Sequence, residues 1–113
     1  MDDFDALIKV KRIYYLFTCY SRVDDYDSSE IESLLIETSA DLEKEFAGYA
    51  RDINSELDNY DENSQMGEVI VSYNYYPLED DENEMEIINK EIIAAFEKIG
   101  LDVEDISLIG VRD

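Results

Sequence analysis

Apolar and polar positions recur along the chain in a way that marks out successive elements. From Leu7 to Ser21 the run LIKVKRIYYLFTCYS combines β-branched and aromatic residues without Gly or Pro, which predicts a long strand. Arg22 to Asp27 is an acidic loop. Asp27 and Ser29 each stand three residues before a glutamate, Glu30 and Glu32, the spacing of a capped helix N-terminus, so a helix is expected to begin near Ser29. Ile31, Leu35, Thr38, Leu42, Phe46, Tyr49, Ile53 and Leu57 then follow in steps of three and four. They share one face of a single helix of about seven turns, with Gly48 as the place for a bend.

Asn59 to Gly67 is a polar linker, after which Val69, Val71, Tyr73 and Tyr75 alternate with Ile70, Ser72 and Asn74 in a second strand that Pro77 stops. Glu79 to Asn83 forms an acidic loop, and a second helix carries Ile88, Ile92, Ala95, Phe96 and Ile99 inward. Gly100 suits the left-handed position after that helix, with Leu101 packing back, and Ile106 to Val111 makes a short third strand. The order strand, helix, strand, helix, strand predicts an α/β fold, a small single βαβαβ layer of three strands and two helices, mostly parallel because crossovers are right-handed. A helix of about 30 residues spans roughly 45 Å and a strand of about 14 residues roughly 46 Å, so the first two elements can run side by side. The alternative is a ferredoxin-like α+β sheet whose fourth strand is hidden in the first strand or in the Asn59 to Gly67 linker. With 113 residues, one acidic domain over residues 1–113 is expected.

Charge changes the picture most. Thirty Asp and Glu against nine Lys and Arg, with no His, give a formal charge of −21, well beyond what solubility requires and enough to oppose compaction. Disorder is not the explanation, because 45% of the residues are hydrophobic and fall in periodic segments. Such a surface implies a strongly basic partner. It disfavours direct nucleic-acid binding, which draws its phosphate affinity from Lys and Arg, and it disfavours anionic membranes. The lone Cys19 forms no internal disulfide and no signal-peptide pattern is present, so the expected compartment is the cytoplasm.

On the helix read from Ser29 onward, Glu30, Glu37, Asp41, Glu45, Asp52 and Glu56 fall within one sector beside the apolar face. Like charges four apart cost ~0.2–0.5 kcal/mol per pair, so three such pairs cost roughly 1 kcal/mol. The bland alternative is a solvated helix face. A second cluster begins the second helix: Glu79, Asp80, Asp81, Glu82 and Glu84, with Glu86 beyond, more acid than the helix macrodipole alone would favour. Among nine tyrosines most are expected in the core, whereas Tyr26 and Tyr60, each in an acidic loop, are candidate interface rings for Arg and Lys.

Without His there is no His general base, no Ser-His-Asp or Cys-His pair and no His-ligated metal, and one Cys excludes a thiolate zinc site within the monomer. Asp25-x-Asp27-x-Ser29 lacks the Gly and bidentate Glu of a calcium loop. The chain is therefore expected to be a non-enzyme with no catalytic residues, cofactor or designed metal site. Twenty-one excess charges equal roughly 36 Å of duplex at ~1.7 Å per charge. In its small size and extreme acidity, the chain resembles the DNA-mimicking inhibitors that phages and plasmids use against restriction or CRISPR nucleases. That likeness implies occupation of the basic groove of a nuclease or its complex, by a monomer or homodimer. Two alternatives stand beside it: an immunity protein or antitoxin neutralising a toxic nuclease, since the parallel reading ending in Phe96 to Val111 is similar in architecture to barstar, and acidity that is halophilic or merely solubilising.

Overall fold

Six elements follow one another: β1 (Lys11–Ser21), α1 (Ser28–Glu45), β2 (Ala50–Asp61), β3 (Met66–Tyr75), α2 (Glu82–Lys98) and β4 (Leu101–Arg112). They come from a computed structural model that describes residues 11–45, 50–75 and 82–112, of which residues 50, 51, 75 and 82–84 are described by their backbone alone. The strands form one sheet in the order β2-β3-β1-β4, and every neighbouring pair is antiparallel. The expected three-stranded, mostly parallel βαβαβ layer is therefore incorrect, and the likeness to barstar that rested on it falls too. The observed βαββαβ order is that of the ferredoxin-like α+β alternative, in which each crossover leaves room for one antiparallel strand between its two ends.

The error lies in residues 50–61. Ile53 and Leu57 are four apart, so they satisfy a helical repeat and a strand repeat equally. The position that decides between them is Ser55, which shares their side of the strand and is buried. Its hydroxyl is 2.9 Å from that of Ser39 on α1, so a polar residue occupies the inward position and the alternation does not register as hydrophobic. Asn54, Asp58 and Asn59 are poor helix formers as well. The helix is described as far as Glu45; Phe46, Gly48 and Tyr49 lie outside the described residues. From residue 50 the chain is strand rather than helix to Leu57, and the polar linker shrinks to a turn over residues 62–65 between β2 and β3. Thus the fourth strand comes chiefly from the misread helix, with only its last residues from the linker.

One side of the sheet is covered by the helices. In β1 every odd residue from Ile13 to Ser21 is buried while the even ones are half-buried, the alternation expected of a sheet packed on one face. Ile13, Tyr15, Phe17 and Cys19 meet Val69, Val71 and Tyr73 of β3, Ile53 and Leu101, under Ile31, Leu35 and Leu42 of α1 and Ile88, Ile92 and Phe96 of α2. Tyr15 stacks on Tyr73 with centroids 6.2 Å apart, and Phe17 lies 5.7 Å from Phe96; these tyrosines belong to the core. Asp27 caps α1, its carboxylate accepting the Glu30 N–H at 2.8 Å. Gly100 has φ of 93°, the left-handed conformation that ends α2. Among the described residues, no helix is long and apolar enough to cross a membrane.

Candidate functional site

Because β1 and α1 are joined by a short loop and β2 and β3 by a turn, three connections meet at one end of the sheet. Gln65 ties them together: its carbonyl accepts the Ser21 N–H at 2.8 Å, and its side-chain amide donates to the Ser21 carbonyl at 2.9 Å and to Asp24 at 3.1 Å. The Arg22 N–H reaches the Gly100 carbonyl at 2.8 Å. The Arg22 guanidinium donates to the Glu97 carbonyl and pairs with Asp102 at 2.9 Å. This is the sole salt bridge among the described residues. Asp24, Asp25, Asp27, Asp61, Glu62 and Asp102 thus gather at one end of the molecule around a single arginine.

α1 extends this acidic end along the body. Glu30, Glu37, Asp41 and Glu45 are all exposed and fall within one narrow sector of the helix, next to the buried stripe of Ile31, Leu35 and Leu42. None of the four is in an ion pair among the described residues. Tyr26, Asp27, Ser29, Glu30, Leu34 and Glu37 line an open depression of about 460 Å³. Beside it, sharing Asp27 and Ser29, a second depression of about 500 Å³ is lined by Tyr60, Asp61, Glu62 and Asn63. Asp41 and Glu45 continue into a groove of about 280 Å³ between the helices, where Glu91 and Lys98 face them across Leu42 and Ala95.

Not every residue nominated from sequence joins this surface. Asp52 and Glu56 are on β2, not on the helix. Glu56 pairs with Ile70, whose register places it on the sheet side away from the helices. Asp52 is held in a left-handed conformation with φ of 54°: its N–H donates to Glu43 at 2.7 Å, its carbonyl accepts from Arg12 at 2.7 Å and its carboxylate accepts from Asn74 at 2.9 Å. That residue is occupied with shaping the start of β2. Glu79, Asp80 and Asp81 lie outside the described residues, and Glu82 and Glu84 are described only as backbone in the first turn of α2.

Tyr26 and Tyr60 are half-buried, and both have structural work. The Tyr26 hydroxyl donates to the Ile99 carbonyl at 2.8 Å, tying the acidic loop to the end of α2. Tyr60 lies across from Gly67 in the neighbouring strand, and its ring edge is 3.0 Å from where a Gly67 Cβ would stand. Each offers an edge to a depression rather than a free ring. Sequence reasoning missed Asp61 and Glu62 as neighbours of Asp27, since only the β2–β3 turn brings them there. It also missed Ile36, an apolar side chain 68% exposed on α1, although its place off the Ile31 and Leu35 face was legible.

Cys19 carries no chemistry here. Burial, reinforced by Asp102 and Glu104, pushes its thiol up to about 12, so it is neutral at physiological pH. Among the described residues no cluster of Cys, Asp and Glu is arranged to hold a metal ion.

No protein-family profile matches the sequence, and no curated protein matches it. Among solved structures, the chain is similar to one described as an amidohydrolase/peptidase from Burkholderia cenocepacia, with a TM-score of 0.46 and 13% identity over 93% of this chain and 29% of that one. It is also similar to an amidase of the hydantoinase/carbamoylase family from Burkholderia multivorans, with a TM-score of 0.43 and 10% identity over 94% of this chain and 29% of that one. The chain spans less than a third of either protein, and at this level neither likeness bears on chemistry.

Proposed function

We propose that this protein is an acidic nucleic-acid mimic, an inhibitor of the anti-restriction or anti-CRISPR type, acting in the cytoplasm of a host cell and encoded by a phage or other mobile element. Its partner is a basic nucleic-acid-binding protein, a nuclease or its complex, and its activity is occupation of the groove rather than catalysis. The observation that carries this reading is the run of exposed carboxylates from Asp61 and Asp27 through Glu30, Glu37, Asp41 and Glu45, none of them in a salt bridge among the described residues. A solvated face without a use for its charge would be expected to interleave Lys at the four-residue spacing, where like charges destabilise the helix by ~0.2–0.5 kcal/mol per pair. Instead Glu37, Asp41 and Glu45 stand in series.

The test is capture of partners from host lysate at two salt concentrations, followed by competition with DNA or RNA on the purified partner. Binding is expected to weaken steeply with salt, because its contacts are exposed and electrostatic. The triple variant Glu37→Lys, Asp41→Lys, Glu45→Lys is expected to keep its fold and lose the partner. A partner that still binds nucleic acid at full affinity when saturated with this protein would overturn the mimicry.

A further inference from the structure

Three of the five large apolar side chains that stand exposed among the described residues are on β4: Leu108 at 57%, Ile109 at 51% and Val111 at 51%. β4 is an edge strand of twelve residues, paired on one side with β1, and a long apolar edge is a template for adding another strand. We infer that this edge pairs antiparallel with the same edge of a second copy of the chain, joining two sheets into one of eight strands.

The choice of a second copy rests on the self-complementarity of residues 105–112, Asp-Ile-Ser-Leu-Ile-Gly-Val-Arg. A twofold axis perpendicular to the sheet between Leu108 and Ile109 sets Leu108 opposite Ile109 of the second copy. It also sets Ser107 opposite Gly110, Ile106 opposite Val111 and Asp105 opposite Arg112. Every apolar residue then meets an apolar one, the smallest residues meet each other, and the two charges pair twice by symmetry. Opposed residues in an antiparallel pair must point to the same side of the sheet. In a regular strand this pairing would fail, because residues three, five or seven apart point to opposite sides.

The bulge removes that objection for the three pairs that flank the central Leu108 and Ile109. β4 shifts register between Gly110, which faces Tyr14, and Leu108, which faces Tyr15, leaving Ile109 with no β1 partner. As a result Asp105, Ser107, Gly110 and Arg112 all stand opposite even residues of β1, Thr18, Leu16, Tyr14 and Arg12, on the side away from the helices. Ile106, Leu108 and Val111 stand opposite Phe17, Tyr15 and Ile13, on the helix side. Arg112 confirms its side by lying 5.6 Å from the centre of the Tyr14 ring. One extra residue thus turns a strand that could not pair with itself in this register into one that can. Two chains of charge −21 repel, and the two Asp105–Arg112 pairs offset part of that repulsion where the chains meet. The axis also keeps both helical layers on one side of the joined sheet, so the two acidic faces would look the same way.

The experiment is sedimentation of the full chain over a wide concentration range, with helicity and melting measured on every variant. A monomer–dimer equilibrium is expected in the wild-type protein. Arg112→Asp sets like charges opposite each other and is expected to weaken the dimer by about tenfold or more. Asp105→Arg alone should do the same, and the doubly swapped chain, Asp105→Arg with Arg112→Asp, should recover the wild-type affinity. Leu108→Lys should leave a folded monomer, since that side chain is already exposed. If it unfolds instead, the charge swap still decides. A chain that stays monomeric at every concentration would overturn the inference, as would a dimer indifferent to the single swaps or one that the double swap fails to restore.

Discussion

Replacing Tyr60 by Phe is expected to stabilise the protein, the reverse of what removing a hydrogen-bonding group from a native site usually does. The Tyr60 hydroxyl is buried and has no hydrogen-bond partner. The small cavity its ring lines, about 10 Å³, is bounded by Cys19, Ile31, Leu57, Val69 and Leu101. That space is at the lower limit for one water and supplies no polar partners to hold it. A hydroxyl taken out of water without a partner costs ~1–3 kcal/mol. Phe keeps the ring that covers Gly67 and discards only the unsatisfied oxygen, so a gain of about 1 kcal/mol follows, or roughly 4 °C in Tm for a domain of this size. Tyr60→Ala is the contrast: it strips the ring from a half-buried site and is expected to cost about 2 kcal/mol or more. Chemical denaturation of the three proteins at constant m value gives the answer. A loss of more than about 0.5 kcal/mol in Tyr60→Phe would refute the reasoning, because it would mean that the hydroxyl makes a favourable bond in solution. The same variant bears on function. If Tyr60 acts through its ring edge, Phe leaves partner affinity unchanged, whereas an interface that uses the hydroxyl loses it.

Gly100→Ala combines a φ of 93° with a Cβ only 2.9 Å from Val23 Cγ2, so a loss of about 2 kcal/mol is expected in urea denaturation, partly relieved by adding Val23→Ala. The Cys19 thiol, pushed from 9.0 to about 12 by burial, stays protonated in the folded chain while the unfolded chain ionises. The thiol's contribution to stability should therefore be fully present below pH 9 and fall by up to about 1.4 kcal/mol per pH unit from 9 toward 12, a slope that Cys19→Ala reduces. The same thiol should react with a disulfide reagent only once the protein is unfolded. Reversal of Glu37, Asp41 and Glu45 to Lys should shift the folded stability by no more than about 0.5 kcal/mol, and unfolding by heat should remain a single transition by circular dichroism.

The parts of the fold that announced themselves were those with one unambiguous period. β1 has a run without breakers, β3 alternates cleanly, and α2 carries Ile88, Ile92 and Phe96 on one face with Gly100 behind them; each was read as the right type in the right region, the first strand from Lys11 on, since its residues 7–10 lie outside the described residues. The second half of the first helix failed because Ile53 and Leu57 fit two periods and the inward residue between them is a serine. Its partner, Ser39, is sixteen residues away, so nothing local could reveal that Ser55 faces a core. Losing that one strand changed the sheet from antiparallel to parallel, since the topology rule was then applied to the wrong set of elements. The acidic stripe was legible as far as the helix extended. Glu30, Glu37, Asp41 and Glu45 stand where the helical period put them, and Asp52 and Glu56 left the stripe when their helix became a strand.

What the sequence could not convey is the segregation of charge that the antiparallel sheet imposes. Acids and cations alike are spread through the chain, yet the sheet brings several of the cations together. Arg12 pairs in register with Arg112 on one side and with Asn74 on the other, and Asn74 in turn pairs with Arg51. With Lys11, these basic residues fall at one end of the sheet although they come from three separated segments. The opposite end receives the β1–α1 loop, the β2–β3 turn and the start of β4, each of them acidic. α1 begins at that end and carries its carboxylates back along the body. Among the described residues, acids that are scattered along the linear chain gather into a strongly acidic end and flank. Such a distribution orients the molecule as it approaches a basic surface, so its effect should appear first in the association rate. Variants at Asp27, Asp61 and Glu62 should then slow association more than matched variants at Glu56, which carries the same charge on the other side of the sheet. Equal effects at the two places would mean that net charge alone, and not its arrangement by the fold, governs binding.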